Sequence, residues 1–158
     1  MKTKTETAIA KFLSGYNCAQ SILYAYGPDC GLEGEMALKL PTGLGAGMAR
    51  QGEVCGAVTG GVLVLGLKYG RGDGQDRAAT ELTYRKTMEL MARFEEEHGS
   101  CLCRVLLEGC DLRTEDGQRR FKEGDLLHKT CLRCVETVSE TLAGLLEGPA
   151  TRTDGSTE

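Results

Sequence analysis

The sequence predicts an all-α fold, a single-domain bundle of about six or seven helices around a glycine-rich central helix. Three observations predict it. Apolar residues recur at helical spacing through most of the chain. No stretch alternates apolar and polar residues with the period of a strand. The run from Gly43 to Gly70, GLGAGMARQGEVCGAVTGGVLVLGLKYG, is apolar but rich in glycine. An interior helical glycine costs about 1 kcal/mol relative to alanine, so Gly56, Gly60, Gly61 and Gly66 need a reason. Gly52, Gly56 and Gly60 recur every four residues, which leaves one helical face bare and lets another backbone approach closely.

The elements follow in order. Ala8, Ile9, Phe12 and Leu13 mark a first helix over residues 4–14, ended by Gly15. Asn17 is an N-cap residue for a second helix, Cys18 to Tyr26, which Gly27-Pro28 stops. Met36, Ala37 and Leu40 mark a short helix over 33–40, interrupted by Pro41. The glycine loop Gly43–Gly47 comes next. It does not satisfy G-x-G-x-x-G, because Met48 stands where the third glycine is required and no strand precedes it. The central helix is expected from about Glu53 to Tyr69, with Glu53 and Cys55 in its first turn, and Arg71–Gly74 forms a turn. A long amphipathic helix runs from about Gln75 to His98, its stripe read as Leu82, Met88, Met91, Ala92 and Phe94. A helical turn starts near Cys103, and Thr114 to Gly117 is a turn or helix start. The last helix covers about Leu126 to Leu146, with Val135, Val138, Leu142, Leu145 and Leu146 inward. Residues 1–147 are thus read as a cysteine-rich helical domain and 148–158 as a polar, disordered tail.

Composition narrows the function. The chain has 158 residues and a formal charge of −4, with no dominant basic patch, so a nucleic-acid binder is not expected. Its first residues lack the apolar core of a signal peptide. The longest apolar run, Val54 to Leu67, is about two-thirds of the roughly 20 residues a membrane span needs. A cytoplasmic protein without membrane contact is therefore expected, in which structural disulfides are rare. Eight cysteines in such a chain point to metal ligation or redox chemistry. Cys18 and Cys55 fall at expected helix starts, where unpaired backbone N–H groups favour a thiolate. Gly45, Gly47 and Gly56 let backbone lie against the cysteine site and offer N–H groups to sulfur. Cys30, in the turn after the second helix, is read as incidental.

The order Asn17-Cys18-Ala19-Gln20, then Gly52-Glu53-Val54-Cys55-Gly56-Ala57-Val58-Thr59-Gly60, then Cys103-Arg104 and Cys131 resembles the redox-active family named for its C, GCAxxG, C, C signature. The resemblance covers roughly residues 8 to 146. Here Cys55 precedes Gly56-Ala57, so the literal order GCA is absent. Four positions carry over by motif: Cys18, Cys55, Cys103 and Cys131. Cys110 looks familial less firmly, and Cys30, Cys101 and Cys134 look like additions. The resemblance extends to the non-haem portion of split-Soret cytochromes, which implies an iron–sulfur cluster. The chain has no C-x-x-C-H, so no covalent haem is expected.

Three chemistries stay open at this point. Cys18, Cys55, Cys103 and Cys131 would hold an iron–sulfur cluster as four thiolates and pass electrons to a redox partner protein. Cys131 and Cys134, as C-x-x-C, would instead run thiol–disulfide exchange. Cys101, Cys103, Cys131 and Cys134, with His98 and His128 as nearby substitutes, would make a structural zinc site. A glycine-faced helix is also compatible with a homodimer.

Overall fold

The computed structural model describes residues 1–147, so the expected tail from residue 148 lies outside the described residues. Eight right-handed α-helices form among them: α1 (Lys4–Leu13), α2 (Cys18–Tyr26), α3 (Gly34–Lys39), α4 (Gly56–Tyr69), α5 (Ala78–His98), α6 (Cys103–Leu106), α7 (Glu115–Glu123) and α8 (Leu132–Leu146). There is no named strand among the described residues, and the fold is all-α as the patterning predicts.

Local chemistry accounts for most of the boundaries. Thr3 caps α1 and Asn17 caps α2, each in a capping box closed by Glu6 and Gln20 respectively. Gly15, at φ 106°, ends the first of these. Thr114 caps α7 by accepting from the Gly117 N–H.

Helix α4 is apolar on most of its surface, with Gly66, Leu67 and Lys68 exposed near its end, and the rest has the pattern of a helix enclosed by neighbours. It packs against α2, α5 and α8. Two of its glycines explain how closely. A Cβ on Gly60 would stand 3.0 Å from the Ala19 carbonyl oxygen and 3.1 Å from its Cα, so α2 lies directly on this helix. A Cβ on Gly61 would meet Leu90 at 2.9 Å and Val138 at 3.0 Å. Val58, Val64 and Leu65 of this helix are fully shielded, as are Ile22, Leu23, Leu90, Phe94, Val135, Val138 and Leu142 around it. Polar groups that enter this core are paired: the Tyr26 hydroxyl donates to the Ser139 carbonyl at 2.7 Å, and the Tyr69 hydroxyl to the Leu145 carbonyl at 2.9 Å.

Three departures from the sequence reading matter for the site. First, α4 begins at Gly56 rather than Glu53. Residues 52–55 lie outside the helix instead and pair with residues 101–104. Cys55 N–H donates to the Cys101 carbonyl at 2.8 Å, and Cys103 N–H to the Glu53 carbonyl at 2.7 Å. An antiparallel bridge joins Val54 and Leu102. Gly52 therefore leaves the helical glycine face, which keeps only Gly56 and Gly60, and Glu53 leaves the first turn. Second, Ala46, Gly47, Met48, Ala49 and Arg50 all lie in the left-handed region, with φ between 50° and 69°. They form a left-handed turn, closed by Ala49 N–H to Gly45 O at 2.9 Å. Each non-glycine residue there costs about 1–2 kcal/mol. Third, the segment Leu127–Cys131 is π-helical before α8 begins. Such wide turns are frequent at functional sites.

The stripe of α5 is also corrected. Met88 is 62% exposed and Ala92 is exposed, while Leu90 and Phe94 are buried and Leu82 and Met91 half-buried. The buried line passes through Lys86, whose ammonium donates to the Leu145 carbonyl at 3.0 Å, and a lysine in the stripe disguises its period.

Candidate functional site

The unusual backbone elements meet at one cavity of about 260 Å³. Cys18, Cys55, Cys103 and Cys131 all line it, and so does Cys134. Each thiol arrives by a different route. Cys18 is the first residue of α2, placed by the Asn17 cap. The Asn17 amide also donates to the Thr42 carbonyl at 2.9 Å, and the Gln20 amide to the Leu38 carbonyl at 3.0 Å, which ties the start of α2 to the loop before the left-handed turn. Cys55 is the cap residue of α4. Cys103 opens α6 and is held beside Cys55 by the paired segments 52–55 and 101–104. Cys131 closes the π-helical segment, and Cys134 follows three residues later on the same side of α8.

The glycines stand where the sulfur site needs space. A Cβ on Gly56 would fall 2.5 Å from Cys18 Sγ, and one on Gly47 would fall 2.6 Å from Cys103 Cβ. Gly45 faces the Asn17 side chain with no room for a Cβ.

The Cys55 thiol has the Cys18 and Cys134 thiols as its interacting neighbours. The Cys134 thiol acts on Cys55, whereas Cys131 is influenced by Cys18 and Cys103 rather than by its C-x-x-C partner. Among the described residues no group of three or more Cys, His, Asp or Glu side chains is arranged to hold a metal ion as it stands.

Neighbouring thiols and burial raise the pKa values of these thiols. The neighbouring Cys55 thiol and burial push Cys18 well above the ordinary thiol range, although the backbone N–H groups of Ala46 and Ala19 pull it down. The Cys134 thiol and burial hold Cys55 well up, against the opposing pull of the Cys18 thiol and the Ala57 N–H. Burial, with Cys18 and Cys110 nearby, pushes Cys103 up to about 11. Burial, with Cys18 and Cys103, pushes Cys131 up to about 12. The expectation of thiolates favoured by helix starts is thereby corrected. The N–H groups act in the expected direction, but the neighbouring thiols and removal from water act more strongly in the other. No charged side chain lines the cavity to offset thiolate charge.

The remaining sequence candidates lie elsewhere. Cys101 is buried outside the cavity with its thiol 3.7 Å from the Met91 carbonyl. Cys110 donates to the Gly117 carbonyl at 2.9 Å and packs with Cys103 and Leu107 behind the cavity. Cys30 lies near Lys4, Asp29 and Lys68. His98 stacks on Phe94 with ring centres 4.5 Å apart and bonds Thr137 at 2.9 Å. His128 pairs with Asp125 at 2.7 Å. Neither histidine lines the cavity.

The rest of the lining is mainly apolar, with Phe12, Leu106, Leu107, Leu112, Phe121 and Leu127 contributing. Gly15 and Tyr16 are its exposed members and mark the mouth. Sequence reasoning set Cys134 apart from the other thiols. Its spacing of three from Cys131 was the signal that the two share a face. The apolar lining carried no signal, because those leucines and phenylalanines are indistinguishable from core in the sequence. No helix among the described residues is long and apolar enough to cross a membrane.

A family model described as "Putative redox-active protein (C_GCAxxG_C_C)" matches residues 16–145. No curated protein and no solved structure matches the chain.

Proposed function

Because the chain belongs to the C_GCAxxG_C_C redox-active family, we propose that the cavity is the redox centre and holds an iron–sulfur cluster on Cys18, Cys55, Cys103 and Cys131. The observation that carries this reading is the meeting of these four thiols, from four separate segments, in one largely apolar cavity. The donor set fits the group. Soft thiolates select iron–sulfur clusters, zinc or copper(I). A single zinc ion, about 2.3 Å from each sulfur, requires four sulfurs drawn tightly together. Five thiols lining a cavity of about 260 Å³ leave room for a larger inorganic core. The lining has no cation for the thiolates, so positive charge must come from what is bound. A bound cluster would supply one-electron transfer.

The protein's own residues then have defined tasks. The four thiols give up their protons on binding, which is a pH-dependent step. Ala46 and Ala19 offer N–H groups to the Cys18 sulfur, and Ala57 to Cys55, a lever on reduction potential. Gly56 and Gly47 keep the approach to sulfur clear. The leucines and phenylalanines exclude water, and the mouth at Gly15 and Tyr16 is where a redox partner protein would dock.

Anaerobic reconstitution tests this, with iron and sulfide assays and a visible spectrum. Wild-type protein is expected to bind iron and sulfide, and each of Cys18→Ser, Cys55→Ser, Cys103→Ser and Cys131→Ser to lose colour. Cys101→Ser, remote from the cavity, keeps it. A wild-type protein that takes up no iron overturns the cluster assignment.

The neighbouring thiols of Cys55 support a second reading, thiol–disulfide redox. The reactive pair would be Cys55 with Cys18 or Cys134, rather than Cys131 with Cys134. Mass spectrometry of mildly oxidised, metal-free protein would then show a disulfide that contains Cys55.

A further inference from the structure

A second cavity of about 220 Å³ adjoins the first and shares Cys103, Leu107 and Leu112 with it. Its character is different. Arg50, Arg104 and Arg113 line it, against a single carboxylate, Asp111. Arg113 is forked onto Asp111, with Nε to Oδ1 at 2.9 Å and Nη2 to Oδ2 at 3.0 Å. Arg104 reaches Glu53, just outside the lining, at 3.2 Å. Arg50 has no carboxylate partner among the described residues. One positive charge is therefore left over at a concave polar site, and two further guanidinium groups stand next to it.

Arg50 is also placed at a cost. It is the last residue of the left-handed turn, at φ 69°, a conformation that disfavours a long side chain. The same turn offers the Ala46 N–H to Cys18 at its start. One strained element thus serves the thiol cavity with one end and the arginine cavity with the other.

We propose that the second cavity binds a small oxyanion, a carboxylate or a phosphate-type group, held by Arg50 with Arg104 and Arg113 beside it and set against the Cys103 wall of the thiol site. Guanidinium groups match both kinds of oxyanion with paired N–H donors. The volume lies below the roughly 300–1,000 Å³ of pockets for drug-sized ligands, so the ligand, or the part of it bound here, has few atoms. Its place beside Cys103 makes the anion a substrate or effector of the thiol site. Anion binding itself does not depend on what the thiol cavity holds.

Calorimetric titration of metal-free, reduced protein tests it, with sodium phosphate and sodium acetate as probes and sodium chloride as control, all at constant ionic strength. One equivalent of phosphate or acetate is expected to bind more tightly than chloride, and the preferred probe identifies the class of anion. Arg50→Gln is expected to weaken that binding tenfold or more. Lys39→Gln, which removes an exposed ion pair remote from both cavities, leaves it unchanged. Arg50 makes no ion pair, so the variant is expected to fold, and an unchanged circular dichroism spectrum checks this. Equal affinity of wild type and Arg50→Gln, or no preference of either probe over chloride, overturns the proposal. The titration uses metal-free protein, so its failure and a failure to bind iron are separate results.

Discussion

Two glycines of the same helix provide a direct test of why α4 is glycine-rich. Gly60→Ala and Gly66→Ala make the same chemical change in the interior of one helix, so the gain in helix propensity, about 1 kcal/mol, is common to both. Their surroundings differ. A Cβ at Gly66 meets nothing within 4 Å, whereas one at Gly60 meets Ala19 O at 3.0 Å, Ala19 Cα at 3.1 Å and Ile22 Cβ at 3.2 Å. Two of those three atoms are backbone, so no side chain can rotate away and α2 itself must shift. Overpacking of this kind costs about 1–3 kcal/mol. Gly66→Ala is expected to be more stable than wild type by about 1 kcal/mol. Gly60→Ala is expected to fall below Gly66→Ala by about 1–3 kcal/mol. For a domain of this size 1 kcal/mol moves Tm by about 2–4 °C, so the two variants should differ by about 2–12 °C. Thermal unfolding of reduced, metal-free protein followed by circular dichroism reads the difference. Equal Tm values would refute the argument that Gly60 is present to let α2 approach.

Two more outcomes follow from the same structure. Asn17→Ala removes the cap bond to the Gln20 N–H at 2.9 Å and the tie to Thr42 at 2.9 Å. A loss of about 1–2 kcal/mol in urea unfolding is expected, with faster reaction of Cys18 toward a thiol reagent as the start of α2 loosens, and unchanged stability would count against the cap. Metal-free protein should also weaken in alkali. Burial raises Cys101 from an ordinary thiol value of 9.0 to about 11 and does the same for Cys103. With the folded value above the unfolded one, the unfolded chain releases its protons first as pH rises. The thiols' contribution is therefore full below about pH 9 and is lost between about pH 9 and 11. The loss per thiol is at most roughly 1.4 kcal/mol for each pH unit between its unfolded and folded values, and less where water screens the sulfur. Urea unfolding at pH 8 and pH 10 checks the sign, and equal stability at both would contradict it.

Much of the fold was legible because it is written in short-range interactions. Asn17 with Gln20 closes a capping box within one turn, Gly15 ends α1, and Val135, Val138, Leu142 and Leu145 recur at the period of a helix. The motif cysteines were legible too, since four of them lie at recognisable positions and all four line the cavity. What stayed hidden depends on contacts distant in the chain. Glu53, Val54 and Cys55 read as helix, but pairing with residues 101–104 draws them out of it. Ala46, Met48, Ala49 and Arg50 carry no residue-type signal for a left-handed turn, because their own preferences oppose it. Only the surrounding contacts, among them Glu53 N–H on the Gly47 carbonyl at 2.9 Å, hold that shape. The direction of the thiol pKa values followed the same logic. A helix start is a local feature and pulls toward thiolate, while burial is a property of the assembled cavity and pushes further the other way. The sequence by itself determined which residues form helices and which cysteines to watch. Tertiary packing decided that Cys134 joins them, that Cys101 and Cys110 do not line their cavity, and that the pKa values of Cys18, Cys55, Cys103 and Cys131 are raised, because each of those depends on what lies across the cavity rather than along the chain.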